Sequence, residues 1–266
     1  MTDGTHHHHG RSLLAVFAHP DDESLACGGL LAACAESGVR VSLVCATRGE
    51  QGPTGAARTE LPDARTRELK AAGGVLGLTE VILLNHRDGY LPSEDGDALE
   101  TDIRAALARI RPDVVVTFGE DGLYWHPDHI AVHQHTTAAV AALGPDAPAL
   151  YYVTMPPGHM RAVLEAATAA ARQRGLGTRA PRGILGIADV DAFGADATPP
   201  TLVVDVRAFA GRKLDALRCH QTQLEGDALD LLAREDAPRL LGIEYYRRAP
   251  VGRTGDTFIE HFGRQE

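Results

Sequence analysis

Short apolar runs alternate with longer amphipathic stretches along most of the chain. The runs are rich in valine and leucine, a pattern typical of strands that are buried on both faces of a parallel sheet. In the stretches between them, apolar residues recur at helical spacing. Strands are predicted at residues 12–17, 39–46, 81–84, 113–118, 149–155 and 202–206. Helices are predicted at residues 23–37, 63–76, 97–110, 129–143, 159–173 and 208–221.

This alternation predicts an α/β protein with a Rossmann-like, mostly parallel sheet that carries helices on both faces. We expect residues 12–266 to form a single α/β domain, preceded by a disordered, histidine-containing tail at residues 1–11. Residues 175–200 are rich in glycine, proline and alanine, which predicts a loop or a lid over the site. From Glu235 onward the pattern is ambiguous.

Composition narrows the classes of function for this chain of 266 residues. Its formal net charge of -10 and the lack of a basic patch argue against a nucleic-acid partner. No apolar run is long enough to span a membrane. The four cysteines show no CxxC spacing and no signal pattern begins the chain, so we expect a reduced, cytoplasmic protein. A homo-oligomer is left open, because the sequence does not locate a surface patch.

Titratable side chains follow each of the first four predicted strands. Because the carboxyl ends of parallel strands meet along one edge of a sheet, we expect these side chains to converge where ligands bind in open α/β sheets. Neither GxGxxG nor GxxxxGK[ST] follows the first strand, which argues against a nucleotide site. The four groups are His19/Asp21/Asp22, Arg48/Glu50, Arg87/Asp88 and Glu120/His126/Asp128/His129.

The tripeptide His-Pro-Asp occurs twice, at the ends of the first and fourth predicted strands. His19 and Asp22 are close enough in sequence to bind one metal ion, and His126 or His129 would supply a third protein ligand. Asp21 lies beside these ligands without being needed as one, as a general base does. In the alternative interpretation, the proline and the aspartates only begin and cap a helix, and His19 is a buried, hydrogen-bonded histidine. The repetition of the motif favours the metal site.

The stretch Ala18-His19-Pro20-Asp21-Asp22-Glu23, together with His126-Pro127-Asp128-His129, resembles the zinc-dependent deacetylases of the PIG-L/LmbE-like family. That family includes N-acetylglucosaminyl-phosphatidylinositol deacetylase and the deacetylases of the mycothiol and bacillithiol pathways. The resemblance extends from Leu13 to about Leu224. Trp125 is a departure, because glycine often precedes the HPDH motif in the family, and a tryptophan there would narrow the pocket or stack on a sugar ring.

The resemblance implies a role for each matching residue. His19, Asp22 and His129 would bind zinc, with ferrous iron as the alternative ion. Asp21 would be the general base. His126 would stabilise the oxyanion or, as an imidazolium, protonate the leaving amine, and this pair of acid and base groups predicts a bell-shaped pH profile.

Two further sets of contacts complete the predicted site. Asp128 would hold His126 in orientation. Contacts with the substrate are predicted for Arg65, Asp88, Tyr124, Trp125 and Glu50.

We therefore predict a metal-dependent amidohydrolase that uses metal-activated water to remove an N-acyl group. The leading prediction is removal of acetyl from an N-acetylglucosamine-type substrate. One alternative is an amidase or deacetylase that acts on a thiol conjugate or a secondary metabolite. Another is a non-catalytic module that binds a metal or a glycan. Asp21 argues against the binding module, because a protein that only binds has no need of a base beside its ligands.

Overall fold

The computed structural model describes residues 8–52, 59–93, 96–175, 181 and 183–262. Its centre is one sheet with the strand order β3-β2-β1-β4-β5-β7-β6. The strands are β1 (Ser12–Phe17), β2 (Arg40–Thr47), β3 (Glu80–His86), β4 (Val114–Phe118), β5 (Ala149–Thr154), β6 (Leu202–Asp205) and β7 (Ile243–Gly252). The first five strands pair in parallel, and β7 pairs antiparallel with both β5 and β6. The predicted mostly parallel α/β fold is confirmed.

Helices connect these strands and cover the sheet. They are α1 (Asp22–Glu36), α2 (Leu61–Leu76), α3 (Gly96–Ile110), α4 (Gly122–Trp125), α5 (Pro127–Ala141), α6 (His159–Gln173), α7 (Ala210–Leu217), α8 (Gln221–Leu224), α9 (Ala228–Leu231) and α10 (Ala237–Leu240). Helix α1 packs against α2 and α7, whereas α3 packs against α5. Because parallel crossovers are right-handed, α1 and α2 lie on one face of the sheet, and α3 and α5 lie on the other.

The chain leaves the neighbouring strands β1 and β4 in opposite directions. From β1 it runs through α1 to β2, and from β4 it runs through α5 to β5. The two loops therefore diverge and leave a crevice at the carboxyl ends of the strands, which is the usual ligand site of such sheets. Both His-Pro-Asp motifs lie in these two loops.

Strand β1 is fully buried, as its apolar sequence requires. Its residues Leu13 to Phe17 are 0% exposed, and they belong to a core that extends from α1 to β7. None of the helices in the described ranges is long and apolar enough to cross a membrane. All four cysteines are free thiols.

Residues 8–11 belong to the ordered domain rather than to a disordered tail. The backbone N–H of His8 donates to Ser37 O at 2.8 Å, and the His8 ring lies 5.7 Å from the ring of Phe258. Arg11 O accepts a hydrogen bond from the backbone N–H of Arg40 at 3.0 Å. The rest of the predicted tail, residues 1–7, lies outside the described residues.

Three features of the fold differ from the sequence-based expectations. The ambiguous C-terminal stretch contains β7, a long antiparallel strand between β5 and β6. The helix predicted at residues 208–221 ends at Leu217 and is followed by the separate α8. Helix α1 is kinked at Cys27, where φ is -145°. At this kink the backbone N–H groups of Gly29 and Leu30 donate to the carboxylate of Glu244, which enters from β7.

Candidate metal centre and active site

The turn between β1 and α1 presents the first group of side chains to the crevice. Strand β1 ends at Phe17, and Asp21 occupies the N-cap position of α1, where its φ of 111° is a strained, left-handed conformation for a residue with a side chain. The Asp21 side chain makes no capping hydrogen bond. The interpretation of this aspartate as a simple helix cap is therefore wrong, and its role as a base stays a prediction.

Three predicted metal ligands converge on one point. His19 Nδ1 lies 3.2 Å from His129 Nε2 and 3.4 Å from Asp22 Oδ2, and His129 Nε2 lies 3.2 Å from Asp22 Oδ1. Ligands that bind a tetrahedral zinc ion at about 2.0–2.2 Å are separated from one another by about 3.3–3.5 Å. The two ring nitrogens and the Asp22 carboxylate, one oxygen of which faces each ring, are therefore close enough to share one ion, and their role as ligands stays a prediction.

The outer hydrogen bonds of the two histidines fix which ring nitrogens face this point. His129 Nδ1 lies 3.0 Å from Gly122 O, so it carries the proton and leaves a lone pair on Nε2. His19 Nε2 lies 3.0 Å from Asp88 Oδ1 and 3.1 Å from Asp128 Oδ2, so the lone pair of His19 is on Nδ1. Carboxylates and carbonyls commonly orient metal-binding histidines in this way. Two imidazole nitrogens and a carboxylate that face one another can share a proton or bind a divalent metal ion in its place, so the donor set of these residues fits such an ion.

The charges around this point favour a cation as well. Burial by itself would lower the pKa of His19, but hydrogen bonds to Asp128, Asp22 and Asp88 raise it well above its usual value. Burial would raise the pKa of Asp22, but His129 and His19 hold it well below its usual value. His126 also lies within reach, because its ring nitrogen and those of His19 and His129 all lie within 4.8 Å of one another.

His126 is held beside the ligands through its own backbone neighbour. The backbone N–H of Asp128 donates to His126 Nδ1 at 3.2 Å, whereas the Asp128 carboxylate accepts from the N–H groups of Gly89 and Leu91. Asp128 therefore contacts His126 through its backbone, and its carboxylate serves His19. Burial, His129 and His19 lower the pKa of His126 to about 4. This pKa disfavours an imidazolium at His126 near neutral pH, and the role of His126 as an acid stays a prediction.

Asp21 forms an ion pair with a buried arginine, Arg65. Arg65 Nη2 donates to Asp21 Oδ2 at 2.8 Å, and Arg65 Nη1 donates to Gly49 O at 2.9 Å. Burial raises the pKa of Asp21 to about 6, although the positive charge of Arg65 opposes this rise. A carboxylate with a pKa just below neutrality suits a general base that must take up a proton and release it again.

A cavity of about 190 Å³ opens beside these groups. Tyr124 lines it, with its ring 5.1 Å from His129 and 4.8 Å from Phe193. Arg65 and Asp88, both predicted substrate contacts, also line it. The structure therefore brings three of the five predicted substrate contacts into one cavity with Asp21 and with two of the predicted metal ligands, His19 and Asp22, whereas His129 lies behind the cavity wall.

The other two predicted substrate contacts lie outside this cavity wall. Glu50 Oε1 accepts the backbone N–H of Asp88 at 2.9 Å, so Glu50 positions the loop that carries Asp88. Trp125 lines a neighbouring cavity instead. Contacts of either residue with a substrate stay predictions.

Several lining residues escaped the sequence analysis as site residues. Leu185, Ile187 and Phe193 form an apolar wall and come from the segment predicted as a loop or lid. Among the described residues 181 and 183–200, the only pairing is a bridge between Ile184 and Ile187, so this segment is a loop, and its closure over the site stays a prediction. The remaining lining residues are Leu25, Gln51, Gly52, Gly89 and Gln223. Glycine content located this loop, but nothing in its sequence showed which apolar side chains turn inward.

Comparisons with known proteins show the family of the chain. The family model described as PIG-L, GlcNAc-PI de-N-acetylase, matches residues 14–140. A 1D-myo-inositol 2-acetamido-2-deoxy-alpha-D-glucopyranoside deacetylase of Acidothermus cellulolyticus is 33% identical over 264 residues, which cover 89% of this chain and 88% of the relative. A protein of the same name from Nakamurella multipartita is 35% identical over 268 residues, with 88% of each chain covered.

A solved structure shares the fold. The N,N'-diacetylchitobiose deacetylase from Pyrococcus horikoshii matches with a TM-score of 0.63 and 21% sequence identity. The match covers 90% of this chain and 84% of that one. At this identity the likeness concerns the sheet and its helices.

Proposed function

Because this chain belongs to the PIG-L family of de-N-acetylases, we propose that it hydrolyses the N-acetyl group of an N-acetylglucosamine-type substrate with the aid of a bound divalent metal ion, zinc first and ferrous iron as the alternative. The two bacterial relatives are named as deacetylases of an inositol glycoside of acetylated glucosamine, which supports a substrate in which an acetylated amino sugar is linked to a second ring. The products would be a free amine and acetate.

The triangle of His19 Nδ1, Asp22 and His129 Nε2 carries this proposal. Its edges of 3.2–3.4 Å match a three-ligand site that leaves one position open, the arrangement of catalytic rather than structural zinc. When bound, the ion would polarise the amide carbonyl and lower the pKa of the attacking water.

The remaining groups have roles that follow from their own contacts. Asp21, held by Arg65, takes the proton of the attacking water and returns it to the leaving amine, because its pKa of about 6 allows both steps near neutral pH. His126 keeps its proton on Nε2, because Nδ1 accepts the backbone N–H of Asp128. It can then donate a hydrogen bond to the negative charge that develops on the carbonyl oxygen.

The cavity suits a single amino-sugar ring. Its polar side carries Arg65, Asp88 and Gln223, which can hydrogen-bond to sugar hydroxyls, and its apolar side carries the loop residues Leu185 and Phe193. Such a wall of few polar and several apolar groups is typical of small-ligand sites. A base beside the metal ligands argues against the binding module, which has no use for one.

An end-point assay tests the proposed function. We expect protein loaded with zinc or with ferrous iron to release one acetate for each free amine from the inositol glycoside named above, and to lose this activity on chelation. A control reaction contains the same protein and a thiol-conjugate amide. Release of an amine from that conjugate alone, with none from the acetylated glycoside, would contradict the proposal in favour of the amidase alternative.

A further inference from the structure

The one tryptophan of the chain occupies a position that is energetically unfavourable for it, both in solvent exposure and in backbone conformation. Trp125 is 53% exposed, so much of a large apolar side chain faces solvent. Its φ of 65° lies in the left-handed region, where a bulky residue is an outlier and glycine is favoured. The chain therefore carries both backbone strain and an exposed indole at a position that glycine fills without strain.

The turn that carries Trp125 is held firmly in this conformation. The backbone N–H of Trp125 donates to Asp121 O at 2.7 Å, and Asp121 Oδ1 accepts the N–H of Leu123 at 3.3 Å. Tyr124 points from this turn into the site cavity, whereas Trp125 lines a second cavity. The two cavities thus lie on either side of one short turn. Strain that is retained at such a place is typical of a ligand contact.

The second cavity is small and polar. Its volume of about 70 Å³ compares with about 190 Å³ for the site cavity, so it has room for part of a ring but not for a whole sugar. Its lining includes the hydroxyl residues Thr154 and Thr198 and the acidic residues Glu120 and Asp196. Hydroxyl and carboxylate oxygens are suitable hydrogen-bonding partners for the hydroxyl groups of a ring that lies over the indole.

The charges of this cavity argue against an anionic ligand. Arg247 is its one lining cation among the described residues, and its guanidinium is already paired with Glu120 and lies 4.9 Å from the centre of the Tyr152 ring. Asp121 and Asp196 add negative charge without a lining cation to balance them. A phosphate or a carboxylate would meet net repulsion here, whereas a neutral polyol would not.

We propose that Trp125 and this small cavity form a second subsite, which binds a neutral, hydroxyl-rich ring attached to the acetylated sugar. This subsite rests on the proposed function, because the acetylated sugar itself would occupy the larger cavity. The indole supplies a flat apolar face for the second ring, and the cavity takes up some of its hydroxyl groups. Trp125 is thus a specificity-determining residue.

Kinetics with two substrates test the subsite. The one-ring substrate is N-acetylglucosamine and the two-ring substrate is the inositol glycoside. We expect Trp125→Gly and Trp125→Ala to lower kcat/KM for the two-ring substrate about tenfold, mainly through KM, and to change that for the one-ring substrate less than about threefold. Trp125→Phe keeps an aromatic face and should retain most of the preference. An equal loss for both substrates, or no loss for either, would overturn the proposal.

Melting temperatures separate the effect of losing the indole ring from the effect of relieving the backbone strain. We expect Trp125→Gly to melt roughly 2–4 °C above Trp125→Ala, because only glycine relieves the left-handed strain, although both variants lack the indole. If the two variants have the same melting temperature, the backbone at Trp125 is not strained, and the argument that the chain keeps a strained residue for binding fails.

Fluorescence tests binding even if no substrate is hydrolysed. Because Trp125 is the only tryptophan in the sequence, emission from tryptophan reports on this position alone. In the Asp21→Asn protein, which should bind without turnover, we expect the inositol glycoside to change the emission in a saturable way. N-acetylglucosamine and N-acetylglucosamine 1-phosphate should not do so. No acetate in any assay together with a saturable change would reject the proposed function but keep the subsite. Bound glycoside with unchanged emission would reject the subsite.

Discussion

Helix α1 lies between two clusters of buried charge that are built on different principles. At its kink, Glu244 Oε1 accepts from Gly29 N–H and Lys213 Nζ, and Oε2 accepts from Leu30 N–H and Tyr246 O–H, all at 2.7–2.9 Å. We call these residues around Glu244 the kink cluster. In it, both oxygens of the Glu244 carboxylate are hydrogen-bonded to other groups of the protein. A buried polar group that is fully paired in this way serves the fold.

The cluster at the start of α1, which we call the site cluster, is not closed in this way. The inner ring nitrogens of His19 and His129 face the two oxygens of the Asp22 carboxylate, which accepts one hydrogen bond from the protein backbone, the N–H of His19 at 2.7 Å. Such an arrangement costs free energy unless a cation is bound. The comparison teaches that buried charge alone does not mark a functional site. What marks it is buried charge whose hydrogen-bonding needs the protein leaves open.

The largest difference between the clusters should appear in catalysis. We expect Asp21→Asn to lower kcat by about 10²–10⁴, because the amide cannot accept the proton of the attacking water. The bound metal should stay close to that of the parent, whereas the melting temperature should fall, because Arg65 loses the charge of its buried partner. Steady-state acetate release, measured together with metal content, checks this result. Unchanged kcat in a folded, metal-loaded variant would remove Asp21 from the role of base.

The kink cluster should respond in stability instead. Lys213→Met leaves the Glu244 carboxylate buried without its cation, so we expect a loss of about 3–5 kcal/mol in the free energy of unfolding. Chemical denaturation measures this loss. The metal content per folded molecule should equal that of the parent, because Lys213 contacts none of the predicted ligands. A variant that loses metal while keeping its stability would break the distinction between the two clusters.

A paired test compares one outer group from each cluster. Asp128→Asn weakens the partner of His19 Nε2, so we expect metal affinity to fall about 10–100-fold. Tyr246→Phe removes one donor to Glu244, so it should cost about 1–3 kcal/mol in stability and nothing in metal affinity. Competition with a chelator measures the first effect and denaturation the second. The comparison fails if the tyrosine variant binds metal as weakly as the aspartate variant.

The smallest effect concerns the pH dependence of the site cluster. The positive charge of Arg65 holds down the pKa of Asp21, which burial has raised to about 6. Because the ionised form of Asp21 is the active one, kcat/KM should rise with pH through this pKa. In Arg65→Met the midpoint should move to higher pH, whereas Arg65→Lys should keep it closer to that of the parent. A midpoint that moves down, or not at all, would show that Arg65 does not tune the base.

Much of the fold followed from sequence because local pattern and long-range structure agree there. Strands β1 and β4 are apolar throughout and end in charged loops, so their burial and their shared edge were both predictable. Strand β7 was missed because it alternates buried and exposed residues and includes Arg247 and Arg248, a pattern that suits an antiparallel strand with one half-exposed face. Its partners are remote in sequence, and no local signal shows them.

The site could be predicted where motif spacing in the sequence brings suitable ligand residues together. It could not be predicted where a contact depends on the direction in which a side chain points. His19 and Asp22 were predicted as ligands because two motifs meet at one sheet edge, whereas only the family resemblance favoured His129 over His126. The partner of the Asp128 carboxylate was not predictable, since a motif does not show which way a side chain turns. The kink at Cys27 escaped notice for a similar reason. It depends on Glu244, which lies 215 residues from Gly29.

Metal content tests the central claim most directly. We would measure zinc and iron by mass spectrometry in the parent, in Asp22→Ala and in Glu244→Gln, purified identically, so that metal held by the N-terminal histidines contributes equally to all three. We expect the parent and the Glu244 variant to hold about one equivalent more than the Asp22 variant. Equal metal in the parent and in Asp22→Ala would contradict a metal centre built on this triangle.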